Sequence, residues 1–205
     1  MTCWNGFAQI IDTMVPNYSP QDLEMATLRA ALEFGTYIGG YSDSYDGTAD
    51  LSARQEGCGC GSYPTHEVSV ALPIGVGWEL AGVVRVSING TDVPPEGQRF
   101  AYTCMRWKQS DCGRIAVSPI TLCGYNPKVH VDFTVLPVPG QVSDIMPDFL
   151  LSKYATPMQY LIASFLLTAT DPRKAGVYYD QYLMQAKRTK NRLGSARGLV
   201  GGRMV

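Results

Sequence analysis

Hydrophobic side chains recur along this chain with two different periods, and the changes of period divide it. Near the N-terminus Trp4, Phe7, Ala8, Ile11 and Met14 fall at steps of three and four, which places them on one face of a helix over residues 2–14 that Pro16 ends. A second helix begins at Ser19, a good N-cap, with Pro20 suited to the first helical position and Asp22 at capping-box spacing. Leu23, Ala26, Leu28, Ala30, Ala31 and Phe34 form its stripe, and Gly35, or at the latest Gly39-Gly40, stops it. Residues 39–65 have no such pattern. Rich in Gly, Ser, Asp and Tyr, with Gly-Cys-Gly-Cys-Gly at 57–61, they read as a long loop of a length usually reserved for functional or partly disordered segments.

The period then drops to two. Val68, Val70 and Leu72 alternate with polar or small residues, and Val83–Ile88 is a strand closed by Asn89-Gly90, a hairpin-turn dipeptide. Gln98–Trp107, Arg114–Val117 and the short Ile120–Cys123 are further strand candidates. Val129–Leu136 alternates cleanly, with Val129, Val131, Phe133 and Val135 on one face and His130, Asp132 and Thr134 on the other. Helical spacing returns from about Pro147 to Thr168, interrupted by Pro157, which should kink or split the helix. Asp171-Pro172 starts a last helix to about Asn191, whose stripe of Ala175, Tyr178, Tyr179, Tyr182, Leu183 and Ala186 predicts antiparallel packing on its predecessor. The expected fold is α+β in four parts. Residues 1–65 hold the N-terminal helices and the loop, 66–137 an antiparallel β domain, and 138–192 a helix hairpin packed with the N-terminal helices. Residues 193–205, with glycine at 194, 198, 201 and 202, read as a flexible basic arm.

Charge sharpens the picture at the C-terminus. The net charge of −1 over 205 residues hides an asymmetry. Residues 1–185 carry eleven basic and eighteen acidic side chains, whereas 186–205 carry six basic and none acidic. Lys187, Arg188, Lys190 and Arg192 fall on the last helical turns, where cations also complement the helix dipole. Arg197 and Arg203 have no such explanation. They are interleaved with Leu199, Val200, Met204 and Val205, the composition of a segment that orders on a partner, and these ten residues are the candidate docking site. Without aromatic stacking positions the segment suits an acidic protein groove better than single-stranded nucleic acid.

Other chemistry finds little purchase. Of the two histidines, His66 and His130, the second lies on the polar face of a strand near Asp132, where an exposed histidine is commoner than a general base. No nucleophile elbow, phosphate loop or dinucleotide fingerprint is present, and Asp43, Asp46 and Asp50 miss the calcium-loop spacing. Cys58 and Cys60 are one residue apart, and Cys3, Cys104, Cys112 and Cys123 stand alone, so paired zinc knuckles are lacking. Neither a catalytic residue nor a cofactor or metal is expected. No apolar run spans a bilayer and the first residues lack a signal peptide's positive charge, so the expected setting is a reducing cytoplasm with free thiols.

Several stretches carry a resemblance. They are Leu72-Pro73 followed by the Val83–Ile88 strand, the Lys128–Leu136 strand ending in Pro137, Met-Pro-Asp-Phe at 146–149, and Asp171-Pro-Arg-Lys-Ala followed by Tyr178, Tyr182 and Ala186. In this order the chain resembles the head-to-tail adaptors of short-tailed phages, the tail tubular protein A-like group, over most of residues 15–192. The Cys-rich loop at 57–61, Pro157 and residues 1–14 depart from that pattern. The resemblance implies a non-enzymatic virion subunit at the portal vertex, assembled in the host cytoplasm into a homo-oligomeric ring, most often a dodecamer. Such a ring joins the portal protein to the tail tube or nozzle protein and lines a channel that DNA crosses without sequence-specific binding. An adjacent neck or head-completion ring, a nucleic-acid-binding module using the basic arm, and a small enzyme or metal module using His66, His130 and the cysteines are the competing readings.

Overall fold

A computed structural model describes residues 3–48, 50–52, 66–97, 105–110, 113–120, 127–138 and 146–201. The fold is α+β, with helices and antiparallel sheets. Its two compact units are a helical one (1–41, 75–78 and 136–205) and a β one (42–74 and 79–135).

The helical unit opens with a 3-10 turn at Cys3–Phe7 and α1 at Ala8–Ile11, so the apolar face of the expected first helix is real but its helix is short. Trp4, Phe7 and Ile11 are fully buried. Helix α2, Pro20–Ile38, has the capping box in full. The Ser19 hydroxyl accepts from the Asp22 N–H at 3.1 Å, and Asp22 accepts from the Ser19 N–H at 3.3 Å. It ends at Gly39, whose φ of 76° is left-handed. Pro157 splits the next helical stretch. Helix α3 is Asp148–Lys153 and α4 is Ala155–Leu167, which leaves the proline in α4's first turn, where an N–H has no intrahelical acceptor. After a turn at 168–171, α5 begins at Pro172 with the Asp171 carboxylate accepting from the Lys174 N–H at 3.0 Å.

Aromatic packing holds this unit together. Tyr41 is fully buried and its hydroxyl donates to the Ala31 carbonyl at 2.6 Å. Its ring meets those of Phe34, Trp78, Phe149 and Tyr154 at centroid distances of 5.8, 5.8, 5.5 and 5.1 Å. Phe34 in turn meets Tyr154 and Tyr182 edge-on, tying α2 to α4's cap and to α5. Gly35 belongs to this arrangement, because a Cβ there would lie 2.7 Å from Tyr41 Cε2.

The β unit contains two four-stranded sheets, ordered β1-β8-β4-β5 and β2-β3-β7-β6. The strands are β1 Tyr41–Thr48, β2 Asp50–Ser52, β3 His66–Ala71, β4 Trp78–Ile88, β5 Thr91–Val93, β6 Arg106–Ser110, β7 Arg114–Ile120 and β8 Lys128–Pro137. The β4–β5 hairpin turns through Asn89 and Gly90 with φ of 49° and 80°, the two positive values a type I′ turn demands, and pairs Ile88 with Thr91. In the second sheet Val68 and Val70 of β3 face Val117 and Ile115 of β7, all buried. Along β8, Val129, Val131, Phe133 and Val135 are buried as the alternation demands.

Three expectations need correction. Residues 41–48 and 50–52, read as loop, are strands. Their Ser, Asp and Gly content is poor for a strand, but β1 is added to the edge of its sheet by backbone bonds to β8, which no periodicity records. The β unit therefore begins at residue 42 rather than 66. The basic arm is helix as far as Gly201, because a helix already nucleated and packed extends at little cost through Ala196, Arg197 and Leu199 despite its glycines. Expectations for residues 53–65, including the Gly-Cys loop, and for strand residues 98–104 and 121–123 lie outside the described residues.

Adding a Cβ at Gly35 should cost more by overpacking, about 1–3 kcal/mol, than it returns in helix propensity, about 1 kcal/mol. Gly35→Ala is therefore expected to lower the urea midpoint of unfolding with its slope unchanged, whereas a neutral or stabilising effect would refute the packing role assigned to this glycine.

Candidate functional site

Helix α5 is thirty residues long against thirteen for α4, or about 45 Å against about 20 Å at 1.5 Å per residue. It packs on α4 and α2. Ala175, Tyr182 and Ala186 are its buried positions among the described residues, all in its first half. Beyond Ala186 the described side chains are exposed or half-buried. The helix carries seven basic residues and one acid, Asp180.

The structure divides the ten sequence-predicted docking residues. Lys187, Arg188 and Arg192 are exposed, with no salt bridge found for them among the described residues. Lys190 has a role within the unit, its ammonium lying 4.9 Å from the centre of the Tyr37 ring on α2. Arg197, Leu199 and Val200 lie on the helix, with side chains outside the description, and Arg203, Met204 and Val205 lie outside the described residues. Not anticipated were Val177 and Met184, exposed at 56% and 48%. Seven residues apart, they fall on the helix face opposite Ala175 and Tyr182. Reading α5 for its polar-face apolar residues, as well as its buried stripe, would have found them. Arg188 follows Met184 by four residues on the same side, so this face combines apolar points with cations.

A second constellation lies in the β unit. His130 on β8 contacts Asp46 on β1 through Nδ1 at 2.7 Å and Asp132 through Nε2 at 3.2 Å. Its pKa is raised above the ordinary histidine value, chiefly by the hydrogen bond to Asp46; burial opposes this and Asp132 adds to it. An open groove of about 670 Å³ lies beside it, walled by Asp46–Thr48, Lys128–His130 and the end of the β4–β5 hairpin. Both ring nitrogens are engaged by carboxylates, so neither is placed to take a proton from a substrate. The carboxylates flank opposite nitrogens and cannot share one metal with the ring. Among the described residues no group of three His, Cys, Asp or Glu side chains is placed to hold a metal. His66 begins β3, and the cysteine side chains lie outside the described residues. Nor, among those residues, is any helix long and apolar enough to cross a membrane.

The helical state of α5's last turns has a direct check. A Cβ at Gly194 would meet nothing within 4 Å. Gly194→Ala should therefore gain about 1 kcal/mol of local helix stability, raising amide protection around residue 194. An irregular segment would show no change. No family model matches this chain, and no curated protein matches it in sequence.

Proposed function

We propose that this chain is a non-enzymatic structural subunit of a phage virion, an adaptor that assembles into a ring joining the portal to the tail at the head–tail junction and lining the path of the DNA. The observation that carries the reading is α5, which continues as a cationic helix past Ala186, its last buried position among the described residues. Over residues 187–194, where its side chains are exposed or half-buried, the helix gains little from packing within its own subunit. Exposed Lys187, Arg188 and Arg192, with Val177 and Met184 nearer its start, give it the mixture of cations and apolar anchors that a groove on an acidic partner protein would accept. The portal is that partner in the proposal, and Arg197, Leu199, Val200, Arg203, Met204 and Val205 extend the same surface by sequence.

The competing nucleic-acid reading draws on the same cations. It requires affinity for DNA that falls steeply with salt.

Chains truncated after Asn191 and chains carrying Lys187→Glu with Arg188→Glu should both fold, because the described side chains of α5 affected are exposed or, at Leu193, half-buried. Both should lose capture by purified portal protein, while the intact chain retains it at salt concentrations that abolish any DNA gel shift. Undiminished portal capture by the truncated chain, with DNA binding lost, would favour the nucleic-acid module instead.

A further inference from the structure

We propose that His130 is a proton-operated clasp that holds the outer half of edge strand β1 on β8. Asp46 and His130 are separated by 84 residues in the chain and meet only because β1 and β8 are neighbours in the sheet. Carboxylate oxygens accept hydrogen bonds and do not donate them. At 2.7 and 3.2 Å from two such oxygens, both ring nitrogens must donate, and only the imidazolium has two N–H groups. The neutral ring can serve one aspartate and turns a lone pair towards the other. Asp132 is on His130's own strand, so Asp46 is the contact that crosses to β1.

The surroundings leave the proton to these three groups. Lys128 is the other charged residue of β8 in the groove. On β4 and β5, Arg85 and Asp92 close on each other at 2.7 Å. Asp43, nearer the start of β1, accepts from the Ser44 N–H at 2.9 Å. β1 ends its sheet on one side, so its tie to β8 is its one strand pairing among the described residues. The Tyr45 hydroxyl lies against Gly47 where a Cβ would be. The linkage has a definite sign. His130 has a raised pKa in the folded chain, so the clasp's contribution is complete below the ordinary value near 6.5 and is lost as pH rises through the higher folded value.

NMR titration from pH 5 to 9 tests this on the intact chain, which has two histidines to assign. His130 should titrate above its ordinary value, and Asp46→Asn should bring it back towards that value. Amide protection factors over Tyr45–Thr48 should fall by about twofold to fivefold through the His130 titration, the range open to an exposed ion pair. Those of the β4–β5 hairpin should stay level, and His130→Asn should remove the pH dependence. Protection over Tyr45–Thr48 that ignores the titration of the unaltered chain, or an unchanged His130 titration in the Asp46→Asn chain, would overturn the proposal.

Discussion

The buried tyrosine at position 41 is the constraint around which the helical unit is arranged. Helix α2 stops at a left-handed glycine, the chain turns through Gly40 at φ 102°, and the next side chain is driven back under the helix it has just left. There its hydroxyl finds the Ala31 carbonyl, and burial pushes its pKa well above the ordinary phenol value. The ring then serves as packing surface for Phe149 of α3, Tyr154 at the cap of α4 and Trp78. Edge-on aromatic pairs contribute about 0.5–1.5 kcal/mol each beyond their buried area. The indole N–H of Trp78 is buried without an acceptor among the described residues. Its contacts with Tyr41 and Phe149 offset part of that loss.

That packing also determines where α5 can be held. Tyr182 is the largest buried side chain of α5 among the described residues and reaches Phe34, Tyr37 and Tyr179. Ala186 is the last fully buried position among the described residues. Past it, helix is maintained by its own backbone bonds and by contacts such as Lys190 on Tyr37. The proposed docking surface thus combines the exposed cations beyond Ala186 with Val177 and Met184 on the face turned away from that packing. Such a division suits an assembly protein, because a docking helix that is already formed loses less conformational entropy on binding than a disordered segment does.

The β unit combines secure and weakly held elements. Val129, Val131, Phe133 and Val135 commit β8 to a buried face, and the β4–β5 hairpin is set by its turn and reinforced by the Arg85–Asp92 pair. Strand β1 has neither device beyond Tyr41, since its other described residues alternate between half-buried and exposed. Its outer half depends on backbone pairing and on a histidine held between two carboxylates, an interaction sensitive to protonation.

Much of this was determined locally. Ser19 and Asp22 start α2, and Asp171 starts α5, by satisfying free N–H groups; Pro20 and Pro172 lack an N–H to satisfy, and Asn89-Gly90 accepts the positive φ values of a tight hairpin. The β8 alternation marks a strand buried on one face, and Pro157 must kink a helix or sit in its first turn, so a break in the 147–168 stretch was also legible, as a kink or a split. In each case the controlling interaction lies within a few residues. Strand β1, the Asp46–His130 contact, the place of Gly35 under Tyr41 and the helical state of residues 193–201 were decided otherwise. A polar Asp-Ser-Gly segment becomes a strand when a partner offers its backbone an edge, and an aspartate meets a histidine 84 residues away when two strands are laid side by side. The glycines near the C-terminus lower helix propensity, but a helix nucleated and anchored by Tyr182 and Ala186 carries through them. Tertiary neighbours supply these terms, and no local pattern contains them.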